Sequence, residues 1–363
     1  MRRHLCPPLP RRVRWGAAAL ATTVALAGCG QSDEGAEGGG AKDGQLAVST
    51  GFFPLTQLVE KVGGEHVAVT QVTPDGSNPH HLEMSPRTTG QLQEADLVVH
   101  LATMQPALDS AIDAVAADHA WDVGAAVDLE AGPQGEGGKH EGHDHAGEGT
   151  DDHEGHDHAD GDHEGHDRAE EGEEGADDHA DHGHAGHDHG GVDPHFWLDP
   201  LAYAQAAEAL GEQLAERDPD HAEDYRANAA AFVEELEALD EELAQGFASC
   251  SITDLVVGHE AYGWFSARYG FHQLGVAGIA NGAEVSPARL AELTEVVREA
   301  GVTTIYAEPL TPRDNAEALA AETGTAVETI DPVAGLSEGS AADDYLGLMR
   351  ANAETLRAGQ ECS

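Results

Sequence analysis

Short apolar runs alternate with amphipathic stretches over most of this chain. Apolar runs bounded by turn residues are typical of buried strands, and apolar residues at helical spacing are typical of helices. Strands are predicted at 46–50, 67–72, 96–101, 254–258, 274–277, 302–307 and 326–330. Helices are predicted at 56–62, 87–94, 287–300 and 313–323. This alternation predicts an α/β fold with mostly parallel sheets.

The alternation occurs twice, on either side of a long helical segment. Pro219–Phe247 carries apolar residues at helical spacing and has no internal Pro or Gly before Gly246. A helix of that length spans roughly 40 Å, enough to run across two lobes. We therefore predict an N-terminal lobe at 45–218, a linking helix at 219–247 and a C-terminal lobe at 248–363.

Five helix starts are marked by a Ser, Thr or Asp directly before a Pro. Such a residue caps the first backbone N–H groups of a helix, and Pro is favoured at the first helical position. The pairs are Ser85-Pro86, Asp199-Pro200, Asp218-Pro219, Ser286-Pro287 and Thr311-Pro312.

The N-terminus has the pattern of a secretory signal. Several Arg residues precede the apolar stretch Trp15–Ala27, which is too short for a permanent membrane span. Leu26-Ala27-Gly28-Cys29 looks like a bacterial lipobox, in which the Cys becomes the lipidated first residue. We predict a lipoprotein signal peptide at 1–28, lipidation of Cys29 and a flexible tether at 29–44. The alternative is an ordinary secretory signal with a chance Cys.

Charge narrows the class of partner. The chain has 363 residues, with 18 Lys+Arg against 68 Asp+Glu and a net charge of −50. Nucleic acids and anionic lipid surfaces require a basic face, so neither is an expected partner. Contact with the membrane is expected through the lipid anchor only. The excess of acidic over basic residues suits a cation as the partner.

A His- and acid-rich insert lies within the first predicted lobe, at 132–191. Its centre, Glu136–His189, holds no aliphatic residue larger than Ala, so we expect it to be disordered. It contains 13 of the 23 histidines: His140, His143, His145, His153, His156, His158, His163, His166, His179, His182, His184, His187 and His189.

The four cysteines divide by location. Cys6 would leave with the signal and Cys29 would carry lipid, so Cys250 and Cys362 remain in an oxidising compartment. A bridge between them would close a loop of roughly 110 residues and add roughly 4–5 kcal/mol in the chain-entropy model. We predict this disulfide, although the sequence does not show that the two sulfurs meet.

Candidate metal ligands stand at or near predicted strand ends. His80 follows the strand ending near Val72, His195 precedes a helix, His259 ends a strand, and Asp331 ends another. Ligands of open α/β sheets bind beyond the carboxyl ends of strands. Three imidazoles and one carboxylate would complete a tetrahedral Zn²⁺ site, and nitrogen donors suit zinc better than manganese. A single His at a strand end is more often a surface or capping residue, so position alone does not decide.

The sequences around these residues resemble a known family. The motifs are Asn78–Pro86, Asp193–Pro200, His259–Phe265, Glu284–Pro287, Ile305–Pro309 and Thr329–Pro332. In this order they resemble the zinc-uptake ABC transporter substrate-binding lipoproteins. That family is part of a wider group of zinc, manganese and iron receptors and lipoprotein adhesins. The resemblance covers essentially all of 45–360.

The resemblance implies two α/β lobes joined by one rigid helix, with the metal in the cleft between them. His80, His195 and His259 fall on the three ligand histidines, and Asp331 matches the acidic fourth ligand of many members. Manganese receptors have a carboxylate where this chain has His259, which favours zinc. Some zinc receptors use a Glu before the first His, or a water, as the fourth ligand. This chain has Pro79 there, which favours Asp331.

Two further roles are expected. Glu83 and Glu260 are candidate hydrogen-bond partners of the ligand imidazoles. Zinc receptors of this family often carry a His- and acid-rich loop, so the insert is a candidate for transient zinc collection. The alternative is a solvated acidic linker with no metal role.

The sequence therefore predicts a receptor with no catalytic activity, anchored at the outer face of the bacterial cytoplasmic membrane. It would capture Zn²⁺ and deliver it to an ABC permease and its ATPase. Alternatives are a manganese or iron receptor of the same fold, an adhesin or metal buffer without a permease, and a secreted zinc hydrolase. The zinc hydrolase remains an alternative because Glu260, directly after His259, could serve as the general base that such an enzyme needs.

Overall fold

Two four-stranded parallel sheets form the framework of the protein. The computed structural model describes residues 44–133, 192–278 and 285–363. The strands are β1 (Leu46–Thr50), β2 (Val67–Gln71), β3 (Leu97–His100), β4 (Ala120–Asp122), β5 (Asp254–His259), β6 (His272–Ala277), β7 (Thr304–Ala307) and β8 (Ala326–Thr329). The sheets have the orders β2-β1-β3-β4 and β6-β5-β7-β8, with every neighbouring pair parallel. The predicted α/β fold is confirmed.

Helices pack against both sheets, as expected for parallel sheets that bury both faces. They are α1 (Phe53–Gly63), α2 (Pro86–Glu94), α3 (Pro106–Val115), α4 (Pro200–Arg217), α5 (Ala222–Phe247), α6 (Gly263–Tyr269), α7 (Pro287–Ala300), α8 (Asp314–Thr323) and α9 (Tyr345–Gly359). α2 and α3 bury Leu92, Leu108 and Ile112 against the first sheet. α7 and α8 cover the second sheet with Leu293 and Leu319. A larger core lies between these layers and includes α1, α4, α5 and α9.

The long helix α5 contacts elements from both halves of the chain. It packs on α1 and α4 on one side of the sequence and on α6 and α9 on the other. Its 26 residues span about 39 Å. The buried residues Tyr225, Phe232, Leu236, Leu239 and Leu243 follow the spacing expected for one helical face. The predicted start at Pro219 differs, because residues Pro219–His221 form a 3₁₀ turn and the α-helix begins at Ala222.

Three of the five predicted helix starts are confirmed by capping bonds. The side chains of Ser85, Asp199 and Ser286 each accept a backbone N–H of the following first turn. Asp218 makes no such bond. Its carboxylate instead accepts the Tyr225 hydroxyl at 2.9 Å.

The predicted start at Thr311-Pro312 is wrong. α8 begins at Asp314, and its N-cap residue is Arg313, whose side chain makes no capping bond.

The predicted disulfide is confirmed. Cys250 follows α5, Cys362 follows α9, and the two form a disulfide that joins these helix ends. Backbone bonds reinforce the junction, since Ile252 N donates to the Gln360 carbonyl at 3.2 Å.

Several predictions lie outside the described residues. They are the signal peptide, Cys29, nearly all of the tether, and the thirteen insert histidines. Among the residues that are described, no helix is both long and apolar enough to cross a bilayer.

Candidate metal site

Three histidines that are far apart in the sequence converge at one point. His80, His195 and His259 each offer a ring nitrogen, and these nitrogens lie within 4.8 Å of one another. The ring centroids are 5.4 to 5.9 Å apart. The exposed fraction is 9% for His80, 0% for His195 and 2% for His259. The cluster is therefore almost completely shielded from solvent.

His80 lies on a short turn held by neutral hydrogen bonds. It belongs to the 3₁₀ turn Pro79–His81, and its backbone N–H donates to the Asn78 side chain at 3.0 Å. The Gln105 amide, at the start of α3, donates to the Pro79 carbonyl at 3.3 Å and to the Thr73 hydroxyl at 2.7 Å. These bonds fix the turn to the carboxyl ends of the first sheet.

His195 is oriented by a carboxylate from its own segment. Asp193 Oδ1 accepts the His195 backbone N–H at 2.9 Å and lies 2.7 Å from its ring Nδ1. The remaining ring nitrogen, Nε2, lies 3.3 Å from Nε2 of His80. The edge of Trp197 packs on the His195 ring, with centroids 5.2 Å apart. Asp193 thus directs His195 Nε2 toward the centre of the cluster.

His259 is oriented by a carboxylate that directly follows a neighbouring strand. Its Nδ1 lies 2.6 Å from the Glu308 carboxylate. Val257 of β5 pairs with Tyr306 of β7, so two residues further along His259 stands beside Glu308. Within the described part of the chain, His259 Nε2 is buried and has no hydrogen-bond partner. This nitrogen is available to a metal.

These carboxylates also fix the protonation of the rings. An Nδ1–H that donates to a carboxylate leaves Nε2 as the unprotonated, metal-binding nitrogen. We predicted Glu83 and Glu260 for this role. For His195 and His259 that prediction is wrong, since the partners are Asp193 and Glu308. Glu83 is exposed, and the stem of Glu260 packs over Gly275 of β6.

Asp331 stands just beyond β8 and is not part of the histidine cluster. Among the described residues, the 4.8 Å group contains only the three histidines. Asp331 Oδ1 accepts the Val333 N–H at 2.8 Å, and Oδ2 is buried with no hydrogen-bond partner in the described structure. Burial raises the pKa of Asp331 to about 6, and the charge of Glu308 adds to the rise. A buried carboxylate without a counter-charge is suited to receive a cation.

The electrostatics of the site favour a divalent cation. Three imidazoles supply neutral donors, while Asp193, Glu308 and Asp331 supply negative charge in a solvent-shielded region. Such a set binds a borderline-soft metal through nitrogen and leaves carboxylates to balance its charge.

Comparison with known proteins finds relatives that bind zinc, consistent with a site suited to a divalent cation. The family model described as "Zinc-uptake complex component A periplasmic" matches residues 48–359. The zinc-binding lipoprotein AdcA of Streptococcus pneumoniae serotype 4 is 28% identical over 321 residues, covering 87% of this chain and 56% of that protein. This chain thus spans about half the length of that relative. The high-affinity zinc uptake system protein ZnuA of Bacillus subtilis is 27% identical over 337 residues, covering 92% of each chain.

Solved structures share the fold. The laminin-binding protein of Streptococcus agalactiae, described as a bifunctional adhesin and metal transporter, superposes with a TM-score of 0.65 at 25% identity, covering 87% of this chain and 99% of that one. The Zn(II)-bound ZnuA-like domain of S. pneumoniae AdcA gives a TM-score of 0.63 at 24% identity, covering 88% and 100%.

Proposed function

This chain belongs to the family of component A of periplasmic zinc-uptake complexes, and from that premise we propose that it is an extracytoplasmic Zn²⁺ receptor. It binds the ion at the histidine cluster and delivers it to an ABC permease that is driven by an ATPase. It acts by binding and release, without catalysis.

The geometry of the histidine cluster carries this proposal. In a tetrahedral site with Zn–N bonds of about 2.0–2.1 Å, two ligand nitrogens lie about 3.3–3.4 Å apart. The Nε2 atoms of His80 and His195 are 3.3 Å apart. A ring nitrogen of His259 lies within 4.8 Å of its neighbours, so a small inward shift would complete three corners of the tetrahedron.

Asp331 is the proposed fourth ligand. Its support is the buried Oδ2 atom, which has no hydrogen bond among the described residues, and its position at the end of a strand in the same sheet as His259. Because Asp331 lies outside the 4.8 Å group, binding must draw the carboxylate inward.

Zinc is favoured over manganese by the donor set. Manganese prefers oxygen donors, whereas three of the four proposed ligands here are imidazole nitrogens. Competition binding tests this choice, and tighter binding of manganese would replace the zinc receptor with a manganese receptor.

The absence of catalysis is also part of the proposal. A hydrolytic zinc site needs a free general base beside a metal-bound water. Two of the carboxylates at this cluster, Asp193 and Glu308, already accept hydrogen bonds from histidine rings. Zinc-dependent turnover of peptide or ester substrates would overturn this part.

The anchor, the lobes and the insert complete the proposal. Lipid on Cys29 would hold the receptor at the outer face of the cytoplasmic membrane, with lobes at 45–218 and 248–363 joined at 219–247. Loss of the lipid mass in Cys29→Ser, measured by mass spectrometry, tests the anchor. Deletion of 136–189 tests metal collection by the insert, and unchanged zinc uptake under starvation would remove that role.

Metal titration of the full chain tests the central function. We expect one tight zinc site that is lost in His259→Ala and retained in His272→Ala, a control whose histidine lies at the exposed start of β6. The control keeps all the insert histidines, so weak binding there cannot explain a difference. Equal zinc affinity in the two variants would refute the proposed site.

A further inference from the structure

Two tryptophans form hydrogen bonds between segments that carry residues of the site. Trp197, two residues after His195, donates its indole N–H to the Pro332 carbonyl at 2.8 Å. Trp264, five residues after His259, donates its indole N–H to the Asp193 carbonyl at 2.9 Å. We propose that this pair of hydrogen bonds, the indole latch, holds the cluster closed and sets the rate of zinc release. The inference rests on the proposed function.

The latch connects the His195 segment to the segments that follow β5 and β8 in the second sheet. These two strands lead to the proposed ligands His259 and Asp331. One acceptor, Asp193, also holds the His195 ring through its carboxylate. The other acceptor, Pro332, directly follows Asp331. Opening the site requires the His195 segment to part from β5 and β8, and that movement must break both indole bonds.

Trp197 is buried, so losing the hydrogen bond from its indole N–H to the Pro332 carbonyl would cost free energy. Its side chain is 0% exposed, and its ring packs edge-on against His195 and Phe52. A buried indole N–H needs an acceptor, because an unpaired buried donor carries a desolvation penalty. The main chain of Trp197 is fixed as well, since the Tyr345 hydroxyl donates to its carbonyl at 2.6 Å.

Two glycines leave space for the indole ring of Trp264 and for the Asp193 carboxylate beside it. A β-carbon at Gly132 would overlap the indole ring, and a β-carbon at Gly263 would overlap the Asp193 carboxylate. These two glycines let the indole approach the Asp193 main chain closely. The Trp264 indole N–H therefore lies against Asp193, the residue that orients His195.

Helix α6, which carries Trp264, also contacts the other end of the His195 segment. Arg268 of α6 lies 4.0 Å from Asp199, the N-cap residue of α4, and binds Asp240 of α5 through two nitrogens. α6 therefore contacts the segment at Asp193 and at Asp199. A shift of α6 away from this segment would act on His195 and His259 together.

Zinc leaves only after the site has opened, so removing the latch bonds should raise the dissociation rate. Each bond that must break during opening slows dissociation, by about two- to tenfold for a typical net hydrogen bond.

The test compares Trp197→Phe, Trp264→Phe and the double variant with wild type. Phe keeps an aromatic ring and removes only the N–H donor and part of the ring. Trp121→Phe on β4 is the matched control, since that indole makes neither latch bond. The full chain is loaded with one equivalent of zinc and mixed with excess chelator in a stopped-flow instrument.

We expect each single variant to release zinc about two- to tenfold faster, and the double variant faster still. Wild-type release from either single variant, or an effect confined to association, would overturn the latch. A wild-type chain that binds no zinc would instead overturn the proposed function.

A second measurement avoids the variants. In ¹⁵N-tryptophan-labelled protein, the indole N–H groups of Trp197 and Trp264 should exchange slowly with zinc bound and faster after zinc removal. Rapid exchange of either in the zinc-bound protein would overturn the latch even if a Phe variant fails to fold.

Discussion

The two sheets have the same strand order but carry different chemistry at their carboxyl ends. The second sheet presents His259 at the end of β5, Glu308 after β7 and Asp331 after β8. In the first sheet, Gly51, Thr73 and Gln105 follow β1, β2 and β3 and form neutral hydrogen bonds. Asp122, the last residue of β4, accepts the backbone N–H groups of Ala102 and Gly124. The fold thus supplies two equivalent edges, of which one contributes His259 and its partner Glu308 to the histidine cluster and the other supports a single histidine turn.

The first sheet does have an ionisable pair near its edge. His100, the last residue of β3, bonds to Asp109 of α3 at 3.3 Å and is not part of the histidine cluster. The functional asymmetry between the sheets therefore depends on where each pair points, not on whether the edge contains ionisable residues.

The largest expected effect comes from removing the charge of Asp331 at the second edge. Asp331→Asn should weaken zinc binding by more than the roughly 10–100-fold that loss of an outer hydrogen-bond partner costs. Isothermal titration in the presence of a competing chelator measures the change. The exposed Asp314→Asn at the start of α8 is the control, and an equal affinity in both variants would remove Asp331 from the site.

The same carboxylate predicts a pH dependence of stability in the metal-free protein. The pKa of Asp331 is raised from 3.8 to about 6, so the folded state binds this proton more tightly than the unfolded chain does. Its contribution is most favourable below pH about 4 and is lost as pH rises through about 6, by a total on the order of 3 kcal/mol.

Denaturation of metal-free wild type and Asp331→Asn from pH 4 to 8 tests this sign. The variant should gain stability relative to wild type as pH rises, although it binds zinc more weakly. A constant difference across the range would show that the carboxylate does not titrate there.

A smaller effect is expected from the carboxylate that orients His259. Glu308→Gln keeps a hydrogen-bond acceptor but removes the charge, and should weaken zinc binding by about 10–100-fold. Glu328→Gln on the exposed edge strand β8 is the matched control. If the two variants bind zinc equally, the Glu308 bond does not contribute to affinity.

The smallest effect on zinc is expected at the edge of the first sheet. Gln105→Leu leaves the buried Pro79 carbonyl without its donor and should cost about 1–2 kcal/mol of stability. Zinc affinity should fall less than tenfold, because the His80 turn keeps its Asn78 bond. Gln93→Leu, on the exposed face of α2, controls for added apolar surface. A larger loss of zinc affinity than in Glu308→Gln would reverse the assigned roles of the two edges.

Local pattern was sufficient to predict much of this architecture. The apolar runs predicted β1 at its observed bounds, and α7 likewise, because both have clear boundaries and apolar spacing. The strand-end positions of His259 and Asp331 followed from the same runs. The three-residue, half-buried strand β4 was not predicted, since it has too little apolar pattern to stand out.

The partners of the histidines could not be predicted in the same way. Asp193 lies two residues before His195 and was visible as a nearby carboxylate, but its bond depends on the local turn. Glu308 is 49 residues from His259, and only the register of β5 against β7 brings them together. Pairing of strands is a tertiary property, so Glu260, adjacent in sequence, was the wrong choice.

A zinc-loaded crystal structure, with anomalous scattering at the zinc edge, tests the central claim most directly. One equivalent of zinc should bind the Nε2 atoms of His80, His195 and His259 at about 2.0–2.1 Å, with an Asp331 oxygen as the fourth ligand. Zinc bound at another place, or held by fewer than three of these imidazoles, would contradict the account.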